Sequence, residues 1–495
     1  MNTKKSVLER QETWLFACLK RHAKTYYGKR YGFEKINTIA AYQKAVPLVD
    51  YETIAPLIER ISNGEANVLF YGNPVAFEIT GGSLGGGKLI PYTKESFVDF
   101  QRAIVPWFST IAQRYNLTCK AAYYAISPAL RAQKTTPCGI KIGVSDAAYL
   151  GEDAGAIMAD GVVVPSWVGE LTEITSWQLA TLYWLIRAQE LELISIWSPT
   201  FLLMLLDALD EHADALLKLF YQGSSIAKHT LAPDVQAAKR LKKYLTDKKS
   251  EQLWPQLKLI SCWQDASSKA FARRLQERFP NVAFQPKALI ATEGIVSMPS
   301  YHANPLLNAD NGFFEFLDAN QEVHLADALI VGAAYEVVMT TNGGLYRYKT
   351  GDLVRFEGHE ETLPILRFIG RSGIVSDMVG EKLTEAFVHH ALDDTDGFSM
   401  LVAQYSDVPH YLLLGETQEI TTKIKSVEAK LCNNPQYAYA RKIGQLGSLK
   451  ACVVANAWQR YIEYKTMLGS RIGDIKIPAL QTDKAWLHII QEAQI

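Results

Sequence analysis

The stretch Phe77–Thr93, FEITGGSLGGGKLIPYT, does most to limit what this chain can fold into. Glycines and Ser83 crowd in front of Lys88, with strand-like segments on both sides, Ala76–Thr80 before and Leu89–Thr93 after. Successive glycines let backbone N–H groups converge without Cβ obstruction, so such a loop can wrap an anion, and Lys88 adds a full positive charge. Three patterns compete for it. Gly82-x-x-x-x-Gly87-Lys88 nearly matches a P-loop, but Leu89 stands where Ser or Thr should reach Mg²⁺. Gly81-x-Ser83-x-Gly85 matches a hydrolase nucleophile elbow. Both need a helix directly after the loop, and Pro91 with its β-branched and aromatic neighbours opposes one. The expectation is a glycine loop closing a β-hairpin, with a nucleotide as the first ligand to test and a plain flexible turn as the bland alternative.

A chain of 495 residues exceeds what one core usually fills, so two or more domains are expected. The net charge of −1, from 51 basic and 52 acidic residues, offers no surface for nucleic acid or an anionic membrane. The opening MNTKKSVLERQETWLF lacks the apolar core of a signal peptide, and the densest apolar run, Phe201–Leu206, is too short to span a bilayer. The cysteines (Cys18, Cys119, Cys138, Cys262, Cys432 and Cys452) form no CxxC pair, which suits reduced, mostly buried thiols in a cytoplasmic protein rather than a zinc site. The residues do not set an oligomeric state; a monomer is compatible with them.

Along the chain, Leu15, Leu19, His22 and Tyr26 share one face of an opening helix, with His22 read as packed rather than as a ligand. Ser198-Pro199 reads as the start of another helix, Ser as cap and Pro at the first position. Leu257–Trp263 reads as a buried strand, Ser267–Phe279 as a helix, and Val282–Gln285 and Ala288–Ala291 as further strand pieces, a βαβ pattern that implies a largely parallel sheet. Val331–Met339 and Leu353–Phe356 add strands. After Gly370-Arg371-Ser372-Gly373 the texture shifts to a smaller unit, so the expected division is 1–370 and 371–495. His389 and His390 point in different directions from one helix, which argues against a shared metal.

Two further clusters join the glycine loop. In Ala291-Thr292-Glu293-Gly294, a carboxylate after a strand is well placed to hold Mg²⁺, since hard cations prefer oxygen ligands; many such glutamates only cap helices or face solvent. In Thr341–Asp352, TNGGLYRYKTGD, paired glycines and alternating aromatics and cations lead to Asp352, expected at the end of a strand. There its two oxygens suit the hydroxyls of a ribose, against the alternative of a turn in a surface hairpin.

With these three clusters in this order, the chain resembles the auxin-responsive acyl acid–amido synthetases, the Gretchen Hagen family of the adenylate-forming superfamily, especially its bacterial forms. Ile79, Thr80, Gly81, Gly82, Ser83, Gly85 and Lys88 resemble that family's first motif, S-S-G-T-S-x-G-x-x-K. Ala291-Thr292-Glu293 is similar to the end of its second, Y-x-S-S-E, and Tyr348-Lys-Thr-Gly-Asp352 to its third, Y-R-x-G-D. Ile196-Trp-Ser-Pro-Thr, Leu259–Trp263, Phe368–Arg371, Gly380-Glu-Lys382 and Gly473–Lys476 extend the likeness over nearly the whole chain. The departures are Ile79 and Gly82, which remove two hydroxyls, Leu289 where the second motif has an aromatic that would stack on adenine, and Lys349, a point charge in place of a planar Arg.

The resemblance implies a mixed α/β fold, with a large domain that binds ATP and the acyl acid and a smaller, mobile C-terminal α/β domain. It implies ATP and Mg²⁺, and a small carboxylic acid and an amino acid as substrates: acyl-AMP forms with release of pyrophosphate, and an amine then displaces AMP to give an amide. Thr80, Ser83, Gly85 and Lys88 are expected on the phosphates, Glu293 on Mg²⁺, and Thr292, Tyr348, Asp352 and Arg371 on the rest of the nucleotide. Lys476, and second to it Lys382, is expected to complete the catalytic group from the mobile domain, pivoting at Gly370 and Gly373. Tyr123, Tyr124 and Trp167 are candidates to line an acyl pocket. The alternatives are transfer to a thiol on coenzyme A or a carrier protein, a nucleotide-binding protein without turnover, and a glycine-loop NTPase, which Leu89 and Pro91 disfavour.

Overall fold

A computed structural model describes residues 5–80, 88–118, 120–125, 127, 134–143, 161–373, 375–393, 395 and 397–493. The opening helix α1 (Val7–His22) begins with a Ser6–Glu9 capping box and buries Leu15, Leu19 and His22. Tyr26 does not continue that face. Thr25 caps a new short helix, and Tyr26, its first residue, is exposed.

The segments on either side of the glycine stretch pair as strands, as their residues require. Strand β1 (Ala76–Ile79) runs antiparallel to β2 (Leu89–Tyr92), with Ala76 opposite Tyr92 and Ile79 opposite Leu89. Pro91 is tolerated because β2 lies at the edge of its four-stranded sheet. Helix α2 (Lys94–Arg114) follows, opened by a Thr93–Ser96 capping box, so the helix comes one strand too late for a P-loop or a nucleophile elbow.

Next come four mutually parallel strands, β3 (Ala122–Tyr124), β4 (Leu193–Ser195), β5 (Leu259–Cys262) and β6 (Ala283–Pro286), in the order β6-β5-β4-β3. Helix α3 (Pro199–Glu211) starts at Ser198-Pro199 as expected, and α4 (Lys269–Arg278) bridges β5 and β6 to complete the βαβ unit. Both faces of the sheet are covered, as parallel strands require. Ala122, Leu193 and Leu259 pack with Ile104, Trp107 and Ile111 of α2, whereas Tyr123, Ile194, Ile260 and Cys262 enter the core of Phe201, Leu205, Phe271 and Leu275. Ala288–Ala291 does not extend this sheet. Ala288 takes a left-handed φ of 58°, and Ile290–Ala291 instead pairs with Gly294–Ile295 in a small hairpin.

A seven-stranded antiparallel sheet spans Ser297–Arg371 and packs on α1 through Phe313, Phe314 and Phe316. Its longest members are the neighbours β7 (Tyr348–Glu360) and β8 (Leu363–Arg371). Asp352 therefore lies inside a strand, not at its end. Beyond it, helix α5 (Glu385–Ala391) precedes a four-stranded sheet of Ser399–Gln404, His410–Gly415, Lys450–Val453 and Leu480–Gln481. Alternation splits that sheet between two cores. Leu401, Tyr411 and Leu413 face a core of their own, while Met400, Val402, Leu412 and Leu414 join the core around α4. There Phe271 meets Phe398 and Trp458 at ring distances of 6.2 and 5.7 Å.

Candidate active site

Cross-strand register builds the first contact. Asp352 on β7 lies opposite Arg371 on β8, and Arg371 Nε reaches Asp352 Oδ1 at 3.1 Å. Arg371 Nη2 also donates to the Thr350 carbonyl at 3.1 Å. Asp352 is 5% exposed, and its charge holds the guanidinium above its ordinary pKa.

The hairpin edge supplies the second. Thr80 N–H donates to the Lys88 carbonyl at 2.9 Å, and its Oγ1 accepts from Lys88 N–H at 3.1 Å. Lys88 thereby points into the molecule, where Nζ meets the hydroxyl of the buried Tyr348 at 3.1 Å and sits 5.6 Å from the Tyr51 ring centre. Burial, then Glu293, raises the pKa of that phenol. Ser83 and Gly85 lie outside the described residues.

Thr292 and Glu293 form the tip of the small hairpin, between Ala291 and Gly294. Tyr92 Oη donates to the Thr292 carbonyl at 2.5 Å and ties this tip to β2. A Cβ at Gly294 would meet Thr341 Cγ2 at 3.3 Å, so glycine lets the hairpin lie close to the Thr341–Asp352 segment. Burial raises the Glu293 pKa; Asp352 raises it further, against Arg371 and Lys88.

The C-terminal segment arrives from across the fold. Gly473 N–H approaches Ser127 Oγ at 3.3 Å, its carbonyl accepts from Ser198 N–H at 3.4 Å, and Arg471 faces Glu78 of β1 at 3.9 Å. A Cβ at Gly473 would meet that Ser127 oxygen at 3.0 Å, so this docking favours glycine. Docked in this way, Lys476 Nζ lies 4.4 Å from the Trp263 ring centre and 5.4 Å from that of Phe368. It keeps access to solvent within a crevice that Trp263, Asp265, Leu289 and Phe368 also line. Desolvation lowers its pKa, Asp352 opposes that shift, Arg371 adds to it, and Glu385 and Glu293 oppose it further.

The structure thus gathers Lys88, Glu293, Tyr348, Asp352, Arg371 and Lys476, with Thr80 and Thr292 at the rim. Lys382 is not among them; it is exposed on a turn at φ 44°. Gly370 is a strand residue opposite Leu353, and a Cβ there would meet Ala386 of α5 at 3.3 Å, so it serves close packing. Nothing lies within 4 Å of a Cβ built at Gly373. Of the aromatic candidates, only Tyr124 lies on the α2 side of the parallel sheet. Tyr123 faces the opposite core, and Trp167 stacks on His229 at 4.0 Å.

One acidic residue in this group shows no signal in the sequence beyond that of a helix start. Glu385, first in α5, is buried, accepts from Ala479 N–H at 3.2 Å and is pushed up to about 7 by desolvation, against Arg371 and Lys476. Its place next to the N-cap Thr384 gave a structural reason for an acid there and hid any other.

The GH3 family N-terminal domain matches residues 2–284, more than half of the 495-residue chain. This chain belongs to the GH3 family. The family's central domain matches residues 306–371 and its C-terminal domain residues 381–485. This GH3 chain is 24% identical to indole-3-acetic acid-amido synthetase GH3.4 of Arabidopsis thaliana, over 94% of its own length and 88% of that protein's. It is also 24% identical to GH3.15 of the same plant, over 77% and 70%. The solved AtGH3.15 acyl acid amido synthetase in complex with 2,4-DB superposes with a TM-score of 0.87 at 20% identity, covering 99% of this chain and 94% of that one. A 2-hydroxyisobutyryl-CoA ligase in the postadenylation state, in complex with 2-HIB-AMP, superposes with a TM-score of 0.58 at 12% identity, over 98% and 91%. The GH3 chain therefore has the mixed α/β fold of adenylate-forming enzymes.

Proposed function

We propose that this GH3 protein is an ATP-dependent ligase that adenylates a small carboxylic acid and passes the acyl group to an amine, an amino acid above all. The observation that carries the reading is the docking of Lys476, from the last segment of the chain, over Phe368 of β8, the strand whose Arg371 holds Asp352. A carboxylate oxygen attacks the α-phosphate of ATP and pyrophosphate leaves. The approach of two anions needs cations fixed in place beforehand, and Lys88, Arg371 and Lys476 come from three separate segments to meet that need. Asp352, anchored by Arg371, takes the ribose hydroxyls. Trp263 and Phe368 supply the aromatic surface that Leu289 lacks for adenine. Glu293, desolvated and next to a second carboxylate, fits a divalent cation, and Mg²⁺ held there would neutralise triphosphate charge. The amine then attacks the acyl-AMP carbonyl and AMP leaves. For this second step the 371–495 unit swings at Gly373, where a Cβ would meet nothing within 4 Å.

A panel of carboxylic acids with ATP and Mg²⁺, scored for pyrophosphate release, tests the reading. Acid-dependent release is the expected result; ATP hydrolysis without any acid, or no release with any acid, would end it. The fold likeness to the CoA ligase keeps thiol transfer as the second reading. Product analysis with amino acids against coenzyme A separates the two.

A further inference from the structure

The α2-facing side of the parallel sheet changes character along its strands. At the amino ends it is apolar, with Ala122, Leu193 and Leu259 packed under Ile104 and Ile111. Two residues further along, side chains return to the same face. The register there sets Tyr124, Ser195, Ser261 and Gln285 in one row across the strands, Tyr124 opposite Ser195, Ser195 opposite Ser261, and Ser261 opposite Gln285. Two residues on again come Trp197 and Lys287. Lys287 is 5% exposed; its Nζ bonds Ser195 Oγ at 2.8 Å and lies 5.0 and 4.9 Å from the ring centres of Trp107 and Trp197.

This row is rich in donors that the fold leaves unused. Among the described residues, Ser261 Oγ, Gln285 Nε2 and Trp107 Nε1 are buried without a hydrogen-bond partner, and Ser261, Gln285 and Trp107 are 0%, 1% and 5% exposed. Gln285 shows the asymmetry within one side chain, since its Oε1 accepts from Tyr115 Oη at 2.9 Å while the amide N–H₂ is left over. A buried polar group without a partner is costly, so donors converging in one place mark a spot built for an acceptor. The place is also where ligands enter such folds, outside the carboxyl ends of parallel strands. It connects with the candidate active site. Trp197 and Trp263 lie 5.9 Å apart, Lys476 covers Trp263, and Ala288, directly after Lys287, already lines the Lys476 crevice.

We propose that this row is the far end of the acyl-acid pocket. The acid it takes is small and flat and carries a second acceptor oxygen, a carboxylate above all, opposite the carboxylate that is adenylated. The inference rests on the ligase reading and names its substrate class. Trp197 walls the acid, Ser261, Gln285 and Trp107 donate to the far oxygen, and Lys287, over the Trp107 and Trp197 rings, supplies charge. A site lined with unused donors discriminates strongly against an analogue that lacks the acceptor, because binding that analogue seals the donors away unpaired.

The test compares 3- and 4-methylbenzoate with the acetylbenzoates and benzenedicarboxylates of the same substitution. Each acid is scored by pyrophosphate release and, independently of turnover, by titration calorimetry into the full-length protein. The expected result is a preference of at least tenfold for the acceptor-bearing acids in both readouts, with the carboxyl and acetyl arms showing which oxygen is favoured. Lys287→Met and Ser261→Ala should each cut that preference severalfold. Ser261→Ala removes one hydroxyl only, so the test does not depend on Lys287→Met folding. Equal or tighter binding of the methyl acids, or a preference intact in both variants, overturns the proposal even if pyrophosphate is released. Failure of release with every acid removes the ligase reading instead, and the calorimetric ratio still decides whether the row binds an acceptor.

Discussion

Arg347 and Arg371 both serve the seven-stranded sheet, one just before β7 and the other at the end of β8, and both reach a carboxylate. Their surroundings differ. Arg347 places Nε and Nη2 on the two oxygens of Glu315, each at 2.9 Å, and Nη1 on the carbonyls of Gln43 and Val46 at 2.8 and 2.9 Å. Gln43 Nε2 adds a further bond to Glu315 Oε1 at 2.8 Å, and the pair is 5% and 0% exposed. Donors and acceptors there are fully engaged with the fold. Arg371 instead meets Asp352 through one 3.1 Å contact, with Glu293, Glu385 and Lys476 gathered around and their pKa values displaced. A closed pair of the first kind holds chain segments together. An open group of the second kind keeps capacity for a charged ligand, and displaced titrations of that sort cluster at functional sites.

The sharpest way to break this comparison is to open the closed pair. Arg347→Met leaves Glu315 buried without its cation and should destabilise the protein by about 3–5 kcal/mol in urea unfolding. A loss below about 1 kcal/mol would show that the pair is not the structural one. Next in size, Lys476→Ala should slow adenylation by roughly 10²-fold or more, the effect of removing one transition-state donor, with the unfolding midpoint nearly unchanged. Pyrophosphate exchange near the wild-type rate would take Lys476 out of the mechanism.

Glu385 sharpens the contrast through pH. Its folded-state pKa of about 7 lies above the ordinary 4.5 because burial favours the neutral acid. Its stabilising contribution is therefore complete below pH 4.5 and is lost as pH rises through about 7. Measured from pH 4.5 to 8, wild-type stability should fall relative to that of Glu385→Gln as pH rises. Parallel curves for the two proteins would contradict the assignment. Smallest of all, Lys382→Ala should change adenylation by no more than about twofold, as for a surface substitution worth about 0.5 kcal/mol. A loss matching that of Lys476→Ala would mean that the two lysines exchange places between conformations.

Much of the fold was legible because local chemistry left few options. Pro91 on an edge strand, Ser198-Pro199 at a helix start and the strand–helix–strand run from Leu259 to Pro286 behave as their residues require. Legibility failed where a tertiary contact overrode a pattern. Thr25 caps a new helix and breaks the Leu15–Tyr26 face, Ala288 turns the chain out of the parallel sheet, and pairing with β8 runs β7 past Asp352. The TNGGLYRYKTGD string reads as one dense site, yet Arg347 braces Glu315 while Tyr348 and Asp352 turn to Lys88 and Arg371. Glu385 stayed hidden because a helix-starting acid needs no further explanation.

By itself, the order of residues determined the glycine hairpin, the βαβ unit and the set of charged and polar groups that a nucleotide site would need. Those are properties of short segments, set by backbone freedom, capping and the alternation of apolar side chains. Only the folded molecule decided which lysine from the last segment docks over Trp263 and Phe368, which carboxylates share a field, and which strand faces gather unused donors. Such outcomes depend on register and docking between segments hundreds of residues apart, and a pKa or an unmet hydrogen bond exists only once those segments have closed around each other.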